Sequence, residues 1–245
     1  MIPKLVQFIG TRNKTDFTFY FSHILTNLSK RVLIVDATSN EFYKNGYTHL
    51  DDGQSLYDFH NIDILCGAKS WTEVEKLLIS ENEKTTNYDV ILVDIDSTEL
   101  LTNEWPDFDE RFYVGDDEKI NQSLDVELLH FLFDETESTK MKRITFTSTY
   151  KLLDEYFDNL MNHRVTWRSI NYMIEPDELE LSLRIQMQHE QMIPFKKLNK
   201  QYKDILFEIV SEMYQLHIKE INEAVKPSFF NFGRKQKEPV LLKKA

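Results

Sequence analysis

Short apolar runs alternate along the chain with longer stretches in which apolar residues recur every three or four positions. Runs of the first kind, bounded by polar turns, predict buried strands, and the longer stretches predict helices. Strands are predicted at residues 5–9, 32–36, 62–65, 90–95, 144–147, 165–172 and 183–188, and helices at 15–28, 71–81, 123–133, 151–162 and 198–224. This alternation indicates an α/β fold of three layers, a mostly parallel twisted sheet with helices on both faces.

The 245 residues suit one α/β domain over residues 1–225, followed by a tail at 226–245. Residues 98–139 carry thirteen acids against two bases, and we interpret them as an irregular acidic insertion. A solvated loop is the default interpretation of such a charge run. The alternative is a partner-binding surface, because aromatic residues are interleaved with the acids. These aromatic residues are Trp105, Phe108, Phe112 and Tyr113.

The overall composition of the chain argues against several classes of function. The net charge of −12 argues against broad binding of nucleic acid, which requires a concentrated positive face. The single cysteine, Cys66, excludes an internal disulfide and any CxxC motif. No basic start followed by an apolar run is present, so we expect a soluble, cytoplasmic protein, with peripheral contact at the inner face of the membrane as an option. No nucleophile–base pattern is found, and no catalytic residue is assigned.

The turn after the first strand has the layout of a phosphate-binding loop. The pattern GxxxxGK[ST] places backbone N–H groups around phosphates, a lysine on the β- and γ-phosphates and a hydroxyl on Mg²⁺. Residues 8–15 read FIGTRNKT, so the lysine and threonine match while Phe8 and Asn13 replace both glycines. Asparagine tolerates positive φ, although its Cβ would crowd a nucleotide. The candidate nucleotide-binding residues are Gly10, Thr11, Arg12, Asn13, Lys14 and Thr15.

Two predicted strands end in aspartates, Asp36 and Asp94. Carboxyl ends of parallel strands meet at one edge of a sheet, where an aspartate beside a phosphate loop can hold a metal ion or its water. Thr15, Asp36 and Asp94 are therefore candidate Mg²⁺ ligands. The alternative is that these aspartates cap the turns or helices that follow them.

Three segments, residues 9–15, 30–36 and 88–94, together resemble the ParA/MinD family of deviant-Walker ATPases, and the resemblance extends to residues 193–195. It implies a P-loop NTPase fold, ATP and Mg²⁺ as cofactors, a homodimer and protein partners. It also places Asn171 where that family often has an asparagine that contacts adenine.

Departures from the family pattern indicate a degenerate member. Ile9 stands where the family has a lysine that reaches the partner's nucleotide, and Thr38 stands where it has a second aspartate that positions water. Our first hypothesis is a pseudo-ATPase that acts as a positioning or scaffold component beside a bacterial membrane machine, such as a pilus, secretion or conjugation apparatus. The alternatives are a slow ATPase whose ATP-dependent dimerisation switches partner or membrane binding, and a nucleotide-independent interaction module.

The tail combines aromatic and basic residues, with six bases against one acid over residues 226–245. Such a segment can insert rings at a lipid interface while its cations meet anionic headgroups, and in composition and position it resembles the membrane-targeting tail of MinD proteins. The alternative is an aromatic hook that packs back on the domain. The residues predicted to contact a membrane or partner are Phe229, Phe230, Phe232, Arg234 and Lys235.

Overall fold

The computed structural model describes residues 2–47, 53–135, 141–150, 155–162, 165, 167–175 and 177–226. The strands within them form one eight-stranded sheet. They are β1 (Lys4–Ile9), β2 (Val32–Ala37), β3 (Leu56–Phe59), β4 (Ile62–Cys66), β5 (Val90–Ile95), β6 (Glu110–Asp116), β7 (Met141–Phe146) and β8 (Trp167–Ile174). Their order across the sheet is β3-β4-β2-β5-β1-β6-β7-β8, and all neighbours are parallel except the β3–β4 pair.

Helices cover both faces of this sheet. They are α1 (Thr15–Asn27), α2 (Phe42–Tyr47), α3 (Trp71–Ser80), α4 (Thr98–Leu101), α5 (Lys119–Glu135), α6 (Tyr156–Leu160), α7 (Glu180–Glu190), α8 (Lys200–Tyr214) and α9 (Ile218–Ala224). One face packs against α1, α2, α7, α8 and α9, and the other against α3 to α6. The three-layer, mostly parallel α/β fold predicted from the sequence is confirmed.

The central strands explain why the apolar runs are continuous. Along β2, Val32 and Ile34 point into the core under α1 and α8, whereas Leu33 and Val35 point to the α3 side. Successive side chains of a strand alternate between faces, so a strand covered by helices on both sides must be apolar throughout. None of the described helices has the length and apolar character needed to cross a bilayer.

Register between the central strands fixes the geometry at their carboxyl edge. Asp36 and Asp94 are paired across β2 and β5, and Phe8 of β1 is level with Asp94. Gly10 follows β1 directly, has a φ of 144°, and lies so close to the carbonyl oxygen of Val114 that any Cβ would collide with it. The turn after β1 therefore requires glycine at this position.

The prediction of an irregular insertion at 98–139 is wrong for its described part, residues 98–135. This stretch contributes β6, an interior strand between β1 and β7, and α5. Phe112 and Tyr113 are buried in the core, while Trp105 and Phe108 are partly buried against it. The acids lie at the ends of β6, in the loops and in α5. The apolar centre of β6 is short, so the strand is hard to recognise among so many acidic residues. Phe112 and Tyr113 are thus core residues and not part of a partner surface, whereas for Trp105 and Phe108 the partner surface stays a prediction.

Two further element predictions are wrong. Residues 183–188 form part of helix α7, not a strand, because Leu183 and Met187, four positions apart, are buried while Ile185 is exposed. The helix predicted at 198–224 is two helices, with Gln215 in the left-handed conformation between them. The sequence pattern does not predict strands β3 and β6 or helices α2 and α4. Of the helix predicted at 151–162, the described part contains α6.

Replacing Gly10 tests the close approach between the turn and β6. Gly10→Ala should lower the free energy of unfolding by about 3 kcal/mol, because a Cβ meets the Val114 carbonyl and φ is unfavourable for alanine. Gly67→Ala is the matched control, since Gly67 also has positive φ but no atom near its Cβ position. It should lose only about 1 kcal/mol. Equal losses in urea unfolding would contradict the collision.

Candidate functional site

The loop between β1 and α1 is held to α5 by a buried carboxylate. Asp125 accepts two hydrogen bonds from Thr11 through Oδ1, at 2.7 Å from the backbone nitrogen and 2.8 Å from the hydroxyl. Its other oxygen accepts a bond from the Tyr113 hydroxyl at 2.7 Å. Burial raises the pKa of Asp125, while these donors oppose the rise. Thr11, predicted as a nucleotide-binding residue, therefore anchors the loop to a helix in this structure.

Lys14 turns inward from the loop. Its Nζ lies 2.9 Å from Oδ1 of Asp94 in an ion pair whose side chains are each 1% exposed. The same ammonium group donates a hydrogen bond to the carbonyl of Gly10. The other carboxylate oxygen of Asp94 accepts a bond from the Tyr43 hydroxyl at 2.6 Å. Burial raises the pKa of Asp94, and the positive charge of Lys14 opposes that rise.

Thr15 is engaged by its own loop. Oδ1 of Asn13 accepts hydrogen bonds from the backbone nitrogen of Thr15 at 3.0 Å and from its hydroxyl at 2.7 Å. The Thr15 hydroxyl also lies 3.1 Å from the hydroxyl of Tyr47. Asn13 is not among the positive-φ residues of the described chain. Asparagine at this position thus satisfies free donors at the start of α1 with its side chain, rather than permitting an unusual backbone conformation.

Asp36 caps the short helix α2, which is the alternative considered for it from the sequence. One oxygen accepts bonds from the backbone nitrogens of Tyr43 and Lys44 at 3.0 and 3.3 Å. The other accepts the Thr38 hydroxyl at 2.6 Å. Burial raises the pKa of Asp36 to about 6, although these donors oppose the rise. Asp36 is level with Asp94 in the sheet, and Tyr43 bonds to both carboxylates.

The predicted magnesium ligands are therefore near one another but already bonded. Thr15 is bonded to Asn13, Asp94 is paired with Lys14, and Asp36 caps α2. In the part of the chain that the structure describes, no group of three or more histidine, cysteine, aspartate or glutamate side chains could hold a metal ion. Lysine, threonine and aspartate are the right residue types for MgATP, but their donors and acceptors are bonded within the protein, so as arranged they do not fit that group.

Arg12 points away from the loop into an acidic cavity of about 410 Å³. Its guanidinium lies 3.5 Å from the centre of the Phe146 ring and 3.5–3.8 Å from three carboxylates, those of Asp16, Asp116 and Glu180. The cavity is lined by five carboxylates and only two guanidinium groups. Burial and the charge of Asp16 raise the pKa of Glu180 to about 7, while Arg12 opposes this rise. A phosphate group would be repelled here.

Asn171 does not contact the loop. It lies on the edge strand β8, level with Arg143 of β7 and, through the register, with Ile9 of β1. Three strand spacings correspond to about 14 Å. Its Oδ1 is 3.5 Å from the Thr145 hydroxyl. An adenine contact at Asn171 stays a prediction. The five predicted tail residues, Phe229, Phe230, Phe232, Arg234 and Lys235, lie outside the described residues.

Several solved structures share the architecture of this chain. A ParA family ATPase from Chlorobium tepidum TLS matches with a TM-score of 0.56 and 16% identity, over 84% of this chain and 98% of that one. The MinC:MinD cell division complex of Aquifex aeolicus gives 0.52 and 14%, over 87% and 98%. A variant of Cyanothece McdA in complex with ATP gives 0.54 and 11%, over 88% and 98%. The chain has the ParA/MinD ATPase fold.

At these identities the ParA/MinD likeness establishes the fold alone. No protein-family model matches the chain, and no curated protein sequence matches it. The sequence resemblance to ParA/MinD ATPases is thus confirmed at the level of the fold.

The predicted site residues form hydrogen bonds and ion pairs with residues from other parts of the ParA/MinD-like fold. The sequence does not predict these partners. Tyr43 is not part of any sequence motif. Asp125 lies within a predicted helix, and no residue near it in the sequence marks it as a site residue. Glu180 falls in no predicted element, because the pattern places a strand at 183–188 where the structure has helix α7. Only the three-dimensional packing brings these side chains to the loop.

Removing one partner of the Lys14–Asp94 pair should be strongly destabilising. Lys14→Met leaves Asp94 buried without its cation, and the free energy of unfolding should fall by about 3–5 kcal/mol. Adding Asp94→Asn should recover part of that loss, because the uncompensated charge is removed. Glu83→Gln, which breaks the more exposed pair with Arg31, is the control and should cost less than about 1 kcal/mol. If both variants lost a similar free energy of unfolding, burial of the Lys14–Asp94 pair would not be the source of its contribution to stability.

Glu180 should make stability depend on pH. Its pKa is raised from 4.5 to about 7 in the folded protein, so folding takes up a proton between these values. The free energy of unfolding of the wild type should therefore fall relative to that of Glu180→Gln as pH rises from 4.5 to 7. Urea unfolding of both proteins across this range measures the difference. A difference that stays constant, or that changes in the opposite direction, would contradict the raised pKa.

Proposed function

We propose that the protein is a ParA/MinD-like positioning or scaffold component that acts through protein–protein contacts, with weak or no ATP hydrolysis. One observation carries the proposal: Lys14, the lysine of the phosphate loop, is buried in an ion pair with Asp94. In a working loop this lysine contacts the phosphates. Here the ammonium group has a carboxylate and a carbonyl as partners, and both are part of the protein.

Nucleotide binding would first have to separate this pair. Leaving one charge of a buried ion pair uncompensated costs about 3–5 kcal/mol, so a nucleotide could bind only if it supplied new partners for both charges. The Thr15 hydroxyl would also have to leave Asn13 before it could bind a metal ion. No catalytic step is assigned to these residues.

Two more positions support weak or absent hydrolysis. Ile9 is completely buried, facing the α5 side of the sheet, and it occupies the place of the cross-dimer lysine in the family that the chain resembles. Thr38 occupies the place of that family's second aspartate and is bonded to Asp36. Neither residue can take the role of the group it replaces, because isoleucine carries no charge and threonine is a poor proton acceptor.

The partner that we propose is another protein. MinD of Aquifex aeolicus has been solved in complex with MinC, and this chain shares its fold. The basic, aromatic composition of residues 226–245 supports a location beside a membrane-associated machine, of the pilus, secretion or conjugation kind, and peripheral contact with the inner face of the membrane. Homodimerisation is part of the proposal, on the ground of the fold.

The second candidate is a slow ATPase that uses ATP to switch dimerisation. It is favoured by the retention of Lys14 and Thr15 in sequence and by a neighbour of the same fold, the McdA variant, solved with ATP. In this candidate Lys14 would release Asp94 and contact phosphate, Asn171 would contact the base, and Thr15 and Asp94 would hold Mg²⁺.

ATP titration separates the two candidates. We expect no phosphate release above background with MgATP at millimolar concentration, and no change in oligomeric state by analytical ultracentrifugation. Asn13→Gly frees the backbone nitrogen and hydroxyl of Thr15, so this variant should bind MgATP more tightly than the wild type. Phosphate release that is lost in Lys14→Ala but kept in Lys30→Ala, a lysine outside the loop, would overturn the pseudo-ATPase and establish the slow enzyme.

A further inference from the structure

The acidic cavity beside Arg12 has more negative charge than the protein neutralises. Five carboxylates line it against Arg12 and Arg184. Asp16 is 1% exposed, and its Oδ1 has no hydrogen-bond partner in the described structure. Nη1 of Arg12 in the same cavity also has no hydrogen-bond partner in the described structure. Since carboxylates outnumber guanidinium groups by five to two, a further donor is the group that this cavity lacks. The complement to such a cavity is a cationic group.

An apolar surface adjoins the cavity. Leu181 lines the cavity itself, and it is 57% exposed. Ile185, one turn further along α7, is 47% exposed, and Leu179 just before the helix is 56% exposed. A surface helix of a globular domain usually exposes polar residues on its outer face. The acidic cavity and the apolar surface lie side by side. Together they match a ligand that carries basic groups next to aromatic or aliphatic ones.

The same chain contains a segment of that composition. Residues 226–245 have six bases against one acid and include three phenylalanines within four positions, 229–232. The net charge of this segment, +5, is opposite in sign to that of the whole chain, which is −12. Opposite charges attract across a water-exposed interface, and burial of aromatic rings adds a sequence-tolerant apolar contribution.

The course of the last two helices directs the chain toward the cavity. Helix α8 starts at the carboxyl edge of the sheet, where Gln201 donates to the Met173 carbonyl at 2.7 Å. It ends at the amino edge, where Lys4 lies over the Tyr214 ring. The chain then reverses at Gln215, and α9 packs back on α8 and α1 with Ile221 fully buried.

The remaining chain is long enough to reach the cavity. Lys226 is the last described residue, and nine further residues to Lys235 can span about 30 Å when extended. The fifteen-residue α8, which runs from one edge of the sheet to the other, is about 22 Å long.

We propose that residues 226–245 dock on their own domain, with Arg234 and Lys235 at the acidic cavity and the three phenylalanines on Leu181 and Ile185 of α7. The docked segment is withheld from lipid and from other proteins. The contact is electrostatic at one end and apolar at the other, so salt weakens it without abolishing it. The cavity with the adjoining surface of α7 thus competes with the membrane for residues 226–245.

Zero-length carbodiimide cross-linking of the full chain tests the docking. At low salt, mass spectrometry should find Lys235 or Lys237 joined to Glu118 or Asp177 within a single chain. Because Glu118→Lys/Asp177→Asn removes two of the acceptor carboxylates, this variant is scored on links from Lys235 or Lys237 to the cavity carboxylates that it keeps, Asp116 and Glu180. The yield of those links should fall about fivefold relative to the wild type, as expected for the loss of two ionic contacts. Glu99→Lys, at a separate cavity, is the matched control and should leave the yield unchanged.

A second variant tests the apolar half and avoids any change to the folded domain. Replacing Phe229, Phe230 and Phe232 with serine keeps every lysine of the tail, yet it should lower the yield of the same links several-fold. Links found only in species of dimer mass would assign the cavity to the tail of a second copy. The tail would be assigned to lipid if no links formed and if the wild type and the cavity variant sedimented equally with anionic vesicles. Either result overturns the proposal.

Discussion

The buried ion pair between Lys14 and Asp94 is the interaction on which the carboxyl edge of the sheet depends. It joins the turn after β1 to the end of β5, and through Tyr43 it is linked to Asp36 and the start of α2. Ammonium and carboxylate groups are costly to bury unless each compensates the other. Three segments that are distant in sequence are therefore held in one arrangement by a pair of charges.

The polar residues around this pair act mainly on the protein itself. Asn13 bonds to the start of α1, Asp36 caps α2, and Asp125 fixes the loop against α5. Each of these side chains uses an oxygen to satisfy a backbone nitrogen that would otherwise lack a partner. A phosphate group satisfies such nitrogens in nucleotide-binding loops. In this chain the same requirement is met by side chains, which supports a structural rather than a catalytic use of the ParA/MinD fold.

Much of the fold could be predicted from the sequence, but the contacts of the site could not. The continuous apolar runs of β1, β2 and β5 mark strands buried on both faces, and the positions of Lys14, Asp36 and Asp94 follow from them. Strand β6 escapes prediction because its seven residues lie among acids, and α7 resembles a strand because its apolar residues alternate over a short stretch. The partners Tyr43 and Asp125 depend on how helices dock, and no local pattern specifies that.

The strand order has a consequence for how the protein is made. Strand β1, which precedes the other seven described strands along the chain, lies in the interior of the sheet, and its neighbours are β5 and β6. Lys4 pairs with Val90, so β1 cannot pair with a neighbouring strand of the sheet until β5 has been synthesised. Contacts between positions so far apart in sequence are slow to form because a long loop must close first. During that interval the apolar residues of β1 have no sheet to join, and exposed apolar strands of this kind favour aggregation.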